Sequence, residues 1–275
     1  MWRMWTKRTM RQKKTTDWSS DSINDEGFRT RFFTLPAIIK AWVKAHVSLD
    51  DARILDFGCG EGISALGLAL DHKSRLIVGV DIMPDPERCL QVAQSQIGLA
   101  TLPDNLALHR VNPGELHSDR DQFDVIYSWS VFEHVDERVI GDVIQLLYKS
   151  LAPNGVLLIQ IAPLYYSAEG SHLCDYIREP WGHLLHQHNV YYDKLVSATS
   201  GESDELTRAL WSTYRTLNQI TALELERVFE NQGFEIVRKY VTQDAHIPPA
   251  ELLSIFNRDV LTTNQIVLLL RKKIA

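Results

Sequence analysis

"ILDFGCGEGISALGLAL" (54–70) decides the fold. It opens as a short apolar strand, meets Gly58, Gly60 and Gly62 within five positions, and continues as an alanine- and leucine-rich helix. Glycine loses more conformational freedom on folding than any other residue. Three of them at a strand-to-helix handover therefore mark a place where the backbone bends sharply or is approached closely. Such a turn offers bare backbone amides at a helix N-terminus. The spacing is not G-x-G-x-x-G, because position 63 is Ile63. Asp56 precedes the glycines and sets negative charge where a diphosphate is repelled and a cation attracted.

Working outward, the chain alternates strand-like and helix-like runs from about residue 35, the pattern of a parallel sheet covered on both faces. "ARILDF" (52–57), "RLIVGVDI" (75–82), "NLALHRV" (105–111), "FDVIYSWS" (123–130) and "GVLLIQIA" (155–162) read as five strands. "PAIIKAWVKAHV" (36–47) has helical spacing with Pro36 in its first turn, and "PERCLQVAQSQI" (86–97) reads as the helix after the second strand. "ERVIGDVIQLLYKSLAPNG" (137–155) reads as a helix ending at a Pro-Asn-Gly turn. Residues 163–215 break the rhythm and are rich in His, Tyr and Trp. The alternation returns with an amphipathic helix at "TALELERVFENQGF" (221–234), closed by Gly233, and strands at "EIVRKYVTQ" (235–243) and "NQIVLLLRKK" (264–273). Insertions in such folds sit where strands end and ligands bind, so 163–215 reads as a lid or acceptor-binding insert.

The 275 residues are 45% hydrophobic and 23% charged, ordinary values for a globular protein. A formal net charge of −6 argues against non-specific nucleic-acid binding. Arg3, Lys7, Arg8, Arg11, Lys13 and Lys14 make the first residues basic, as a docking or targeting tail or as a solvated terminus. No run is long and apolar enough to span a bilayer. Cys59, Cys89 and Cys174 are too few and scattered for a disulfide framework, so a reduced, cytoplasmic protein is expected.

Asp81 ends the second strand, where a carboxylate accepts hydrogen bonds from both hydroxyls of a ribose. That feature points to a nucleoside ligand without choosing between a dinucleotide and another. "ILDFGCGEG", followed by "GVDI", "HRVNPGEL" and "DVIYSWSVFEHV", resembles the class I methyltransferases that use S-adenosylmethionine. The resemblance runs from about residue 50 to the end of the sequence. It implies an α/β fold with a seven-stranded, mostly parallel doubly wound sheet, an antiparallel last strand lying between strands five and six, and an insert after strand five. Residues 1–34 would form an N-terminal extension, partly flexible or covering the cofactor, and 35–275 the methyltransferase domain. The resemblance further implies S-adenosylmethionine as cofactor and S-adenosylhomocysteine as product. Gly58 and Gly60 would let the cofactor's amino-acid part lie on the turn, with Cys59 contributing backbone. Asp56 would orient its ammonium end, Asp81 hold the ribose, and Ile82 pack on the adenine. Asn112, with Pro113 beside it, would accept from the adenine amino group. Ser128 and Trp129 would lie near the reactive methyl.

A sulfonium methyl is already activated, so its transfer needs positioning first and a base only when the acceptor carries a proton. Candidates for proton handling are His134, His172 and His183, with His134 just past strand four and an ordinary imidazole well suited to neutral pH. Tyr165, Tyr166 and Trp181 are candidates for contacting an organic acceptor. Glu133 and His134 resemble the carboxylate and histidine of metal-binding methyltransferases, which place another acid three positions earlier. Ser130 stands there, so no metal is expected. The insert's His172, Cys174, His183, His186 and His188 lack the paired spacing of a zinc site. The aromatics are not interleaved with basic residues, which disfavours stacking on nucleic acid. The expectation is a cytoplasmic enzyme that methylates a small or medium-sized organic acceptor, at oxygen rather than nitrogen, without nucleic-acid or membrane partners. The rival reading is a non-catalytic cofactor-binding partner subunit, and a nicotinamide oxidoreductase is disfavoured by the glycine spacing; a homodimer or a partner protein is compatible with either.

Overall fold

A computed structural model describes residues 18–116 and 122–273. The strands are β1 (Arg53–Phe57), β2 (Leu76–Asp81), β3 (Leu106–Arg110), β4 (Phe123–Trp129), β5 (Leu151–Ile161), β6 (Phe234–Gln243) and β7 (Thr263–Lys272), with the central ones buried apolar runs and β3 and β6 more open at the edges. They form one sheet in the order β3-β2-β1-β4-β5-β7-β6. The first five are parallel, and β7 is antiparallel to both of its neighbours, β5 and β6. The strand order reverses between β1 and β4, which opens a crevice at their carboxyl ends.

Alternate strand residues divide between two cores. Ile54, Ile77, Val125 and Leu158 join one, while Leu55, Ile126, Leu157 and Leu268 join the other. Helices α1 (Glu26–Arg29), α2 (Leu35–Val43), α3 (Ile63–Asp71) and α4 (Cys89–Ile97) cover the first. α3 is buried from Ile63 to Leu70, because the α1–α2 segment lies over it. The second core lies under α5 (Ile140–Ser150) and α9 (Ala222–Asn231).

Three boundaries differ from the sequence expectations. The division at 34/35 falls inside helical chain that starts at Glu26, capped by Asp25, whose carboxylate accepts from Phe28 N at 2.8 Å. Phe28 and Phe32 are fully buried, so these residues belong to the core and not to a loose extension. Pro36 does sit in the first turn of α2, as expected, but helical chain already runs into it. It lacks the N–H that would bond the Phe32 carbonyl, and a π-helical turn at Thr30–Thr34 carries the chain past it. Gly67 packs on that carbonyl, where an added Cβ would lie 2.4 Å from the Phe32 oxygen. The basic stretch and Trp2 and Trp5 lie outside the described residues.

The second difference is at β5, which starts at Leu151 rather than 155. Pro153-Asn154-Gly155 makes no separate turn; the register slips between Phe123 and Val125 as the partner strand bulges past them. Gly155 fits because a Cβ there would be 2.9 Å from the carbonyls of Phe123 and Asp124.

The third difference is that the insert is helical. It contains α6 (Gly182–Leu185), α7 (His188–Ala198) and α8 (Asp204–Thr216), with a core of Leu173, Ile177, Tyr191, Leu195, Tyr214 and Leu217. An excursion between β6 and β7, holding α10 (Ala250–Leu253) and α11 (Arg258–Thr262), packs Leu252 and Leu261 against Trp181 and Ala168 of the insert. No helix among the described residues is long and apolar enough to cross a membrane.

Candidate active site

The glycine turn answers for its own composition. Gly58, Gly60 and Gly62 all have left-handed backbone, with φ of 79°, 52° and 72°. A Cβ on Gly58 would lie 2.2 Å from Val131 Cγ2, so that residue is small because of protein packing. Gly60 faces open space, and it is here that a ligand can reach bare backbone. The turn is tied to β2, since Gly58 N and Cys59 N both donate to the Val80 carbonyl. Gly60 N donates to Asp81 Oδ2 at 2.8 Å, and Met83 N to Asp81 Oδ1 at 2.9 Å. Each carboxylate oxygen keeps a lone pair for a further donor. Burial pushes the Cys59 thiol well up from its usual range, which leaves it a neutral packing group.

A cleft of about 470 Å³ opens beside this turn at the carboxyl ends of the strands. Its lining includes Gly58, Asp81, Ile82, Asn112, Pro113 and His134 of the expected residues. Asn112 Nδ2 donates to Glu115 at 2.9 Å, which turns its Oδ1 into the free acceptor that an exocyclic amine requires. Val111, Val131, Val135 and Val139 supply the apolar wall, and the sequence reading had named none of them. Val111 follows β3, and the other three come from the loop after β4, where Ser130 has a left-handed φ of 55°. Gln160 Oε1 fixes that strained turn by accepting from both the backbone N and the Oγ of Ser130 at 3.0 Å.

Asp56, Cys59, Gly60, Ser128 and Trp129 fall outside this lining. Ser128 is fully buried, and Trp129 packs against the core on the α3 side. Asp56 is corrected in its charge state. It is 2% exposed, and burial raises its pKa to about 7 in spite of hydrogen bonds from Tyr127 and Ser64. Burial without a counter-ion thus favours its neutral form over the fixed anion expected from the sequence.

His134 meets the insert. Its ring lies 5.5 Å, centroid to centroid, from that of His172. Its Nδ1 is 3.3 Å from Thr216 Oγ1 at the end of α8. That hydroxyl donates to the Thr213 carbonyl at 2.8 Å, so the imidazole must be the donor at Nδ1, which leaves Nε2 a bare acceptor. Part of the ring is open to the cleft, yet the walls packed around it lower its pKa to about 4, with His172 adding to the effect. This corrects the expectation of an ordinary imidazole. His172 and His183 are likewise held below the usual range by burial, His183 to about 4.

The other insert residues form layers behind His134. His172 Nε2 is 3.0 Å from the Pro163 carbonyl, and His183 Nε2 is 2.6 Å from that of Tyr165. Tyr165 packs on both His183 and Tyr166. Tyr166 turns toward a separate cavity of about 640 Å³ lined by Leu164, Ile220 and Val241. Trp181 is 1% exposed, and its Nε1 donates to the carbonyls of Tyr166 and Leu261, so it fastens the insert to the excursion before β7. The neighbours Glu133 and His134 diverge. Glu133 is 3% exposed with both carboxyl oxygens unpartnered, and burial raises its pKa to about 8.

A seven-stranded sheet with an antiparallel β7, a glycine turn after β1 and an acid at the tip of β2 define a class I methyltransferase fold of the S-adenosylmethionine-dependent kind. Residues 29–239 match the family model described as a methyltransferase domain, and the chain belongs to that family. It is 30% identical over 151 residues to an uncharacterized protein of Rickettsia prowazekii, a match covering 54% of this chain and 56% of the relative. It is 29% identical over 115 residues to a ubiquinone biosynthesis O-methyltransferase of Pseudomonas putida strain W619, covering 42% and 46%. The chain thus spans about half the length of the curated relatives it matches. Among solved structures it resembles the magnesium protoporphyrin IX methyltransferase of Synechocystis PCC 6803 with bound SAH, at 15% identity, a TM-score of 0.51 and coverage of 89% and 85%. It also resembles an S-adenosylmethionine-dependent methyltransferase of Clostridium acetobutylicum, at 13% identity, a TM-score of 0.52 and coverage of 89% and 92%. At these identities the likeness is one of fold.

Proposed function

We propose that the cleft holds S-adenosylmethionine and that the chain transfers its methyl group to an oxygen of a small organic acceptor. One observation carries the reading: the cleft joins Asp81, Asn112 and His134, and Asp81 accepts from the N–H of Gly60, the one glycine of the turn that faces open space. Asp81 would receive the ribose hydroxyls, Ile82 and the valine wall the adenine, and Asn112 its amino group. When bound, the cofactor would supply an electrophilic methyl, whose bond to sulfur breaks as the acceptor takes it and leaves a neutral thioether behind. The remaining task falls to the protein, which must bring the acceptor in line, exclude water and receive a proton. His134 Nε2 is the bare base at the cleft, and the acceptor's proton would pass to it as the carbon–oxygen bond forms. Oxygen as the methylated atom draws support from the O-methyltransferases among the relatives.

Calorimetric titration with S-adenosylhomocysteine, with NAD as a control, tests the cofactor reading. Binding of the first alone is expected, and binding of neither would refute it. Asp81→Ala is expected to weaken S-adenosylhomocysteine binding by about 1–3 kcal/mol, from lost ribose hydrogen bonds and from release of the Gly60 amide. Unchanged affinity would move the ribose elsewhere.

A further inference from the structure

The cavity of about 640 Å³ is larger than the cleft of about 470 Å³, and the transfer step does not use it. Among its lining residues, Leu164 follows β5, Gln243 ends β6 and Thr263 starts the antiparallel β7. It therefore opens at the same end of the sheet as the cleft, toward the β6 edge. Both volumes lie in the range of small-molecule sites. The insert contributes Leu164 and Tyr166 to its walls, the chain entering α9 contributes Ile220 and Leu223, β6 contributes Val241, and α11 contributes Val260. Tyr166 and Phe256 lie 5.1 Å apart, centroid to centroid, where the insert meets the excursion before β7. Ile220 is buried at the back, whereas Leu223 is 56% exposed at the mouth.

The charges around this space cancel. Lys239 Nζ donates to both carboxylate oxygens of Glu226, at 3.1 and 3.0 Å. Arg258 and Asp259 stand side by side in the first turn of α11. Two hydroxyls are already committed, Thr221 to the capping box of α9 and Thr263 to the Asp259 carbonyl. The side-chain amides of Gln243 and Asn257 have no hydrogen-bond partner among the described residues. An amide offers a donor and an acceptor but no charge. An ion entering here would lose water without meeting a net opposite charge, whereas an uncharged molecule loses little.

One stretch of chain keeps this space apart from the cleft. Asn218 donates to the carbonyl of Val135, a cleft residue, while Ile220 faces the cavity. Between them, Gln219 Oε1 accepts from the Tyr166 hydroxyl at 3.4 Å.

We propose that this cavity is a second small-molecule site, taking an uncharged, mostly apolar ligand with a hydrogen-bonding edge, and filling independently of the cleft. The apolar body packs on Leu164, Ile220 and Val241, and the polar edge meets the amides of Gln243 and Asn257.

The test uses two probes with one ring system, uncharged 2-naphthamide and anionic 2-naphthoate, titrated into the isotope-labelled full chain by NMR. 2-Naphthamide is expected to shift the backbone signals of Tyr166, Val241 and Val260 at a single saturable site, with a Kd of about 1 mM or below. Gly60 and Asn112 should stay still, and added S-adenosylhomocysteine should not displace the probe. 2-Naphthoate is expected to bind at least about fivefold more weakly. Leu223→Asp, at an exposed position where a helix tolerates an acid, should weaken 2-naphthamide by about threefold or more. Val241→Trp fills the space and should weaken it by about tenfold or more. Shifts centred on Gly60 and Asn112, no saturable binding, or unchanged affinity in both variants overturns the site. 2-Naphthoate binding as tightly as 2-naphthamide overturns the ligand class, with Arg258 then deciding it. Each of these results leaves the cofactor reading standing, and failure of S-adenosylhomocysteine to bind the cleft leaves this site standing.

Discussion

Glu133→Gln is expected to stabilise the protein by about 4 kcal/mol at pH 8, a gain that disappears toward pH 4.5. Glu133 is 3% exposed, neither carboxyl oxygen has a partner, and its folded-state pKa is raised to about 8 from an ordinary 4.5. Burial is the leading cause, and no cation offsets it. The unfolded chain loses this proton above about pH 4.5, whereas the folded chain keeps it until about pH 8. Across that window the folded state binds more protons, so its stability falls as the pH rises. Below the window both states are protonated and the penalty is absent. Glutamine matches the neutral acid in shape and does not titrate. Melting curves of wild type and variant at pH 5 and pH 8 should therefore diverge on going up. A variant offset that is the same at both pH values would place the Glu133 carboxyl in water.

What was legible in the sequence and what was not divide along physical lines. A parallel strand buried on both faces is apolar throughout, so β1, β2, β4 and β5 show as uninterrupted runs wherever their neighbours lie. The glycine turn and Asp81 are local in sequence, and the structure joins them through the 2.8 Å bond from Gly60 N. The helical turns ahead of α2 were less legible because Pro36 correctly marks the start of α2 and hides that helical chain precedes it, although Phe28, Phe32, Leu35 and Ile39 already mark an apolar stripe. α8 carried a signal too, in Ser203, whose side chain accepts from Leu206 N as an N-cap. The aromatic density around it drew attention to ligands, while Tyr191 and Tyr214 in fact pack on each other in the insert's core.

Burial-dependent chemistry was the least legible. Glu133 and His134 are adjacent in sequence and look alike as candidates, yet one points into the core and the other lines the cleft. The acidity of Asp56 depends on Tyr127, 71 residues away. The apolar wall of the cleft comes from valines that any core would use. Only the left-handed turn at Ser130 brings Val131 over Gly58.

His134→Ala is expected to lower kcat by a hundredfold or more, the usual contribution of a positioned base, while S-adenosylhomocysteine affinity stays nearly unchanged. The neutral ring has its Nδ1 proton committed to Thr216, so Nε2 is free to accept. With the pKa lowered to about 4, the ring is already unprotonated at neutral pH. The rate should therefore show no His134 break near pH 6.5 and should fall only as the pH approaches 4. The same depression makes His134 a weak base, so its value lies in placement, and Thr216 sets that placement. Thr216 closes α8, while Asn218, two residues on, grips the loop from the other side by donating to the carbonyls of Phe132 and Val135 at 2.6 and 2.7 Å. The chain at the end of the insert thus fixes both the His134 ring and the loop that carries it. Thr216→Val removes the oxygen that receives the Nδ1 proton and frees the ring to change tautomer. It should lower kcat by a smaller factor than His134→Ala, again without loss of cofactor affinity. Wild-type kcat in His134→Ala at saturating acceptor would leave the histidine a loop-ordering role, and Thr216 would then have no ring to orient for catalysis.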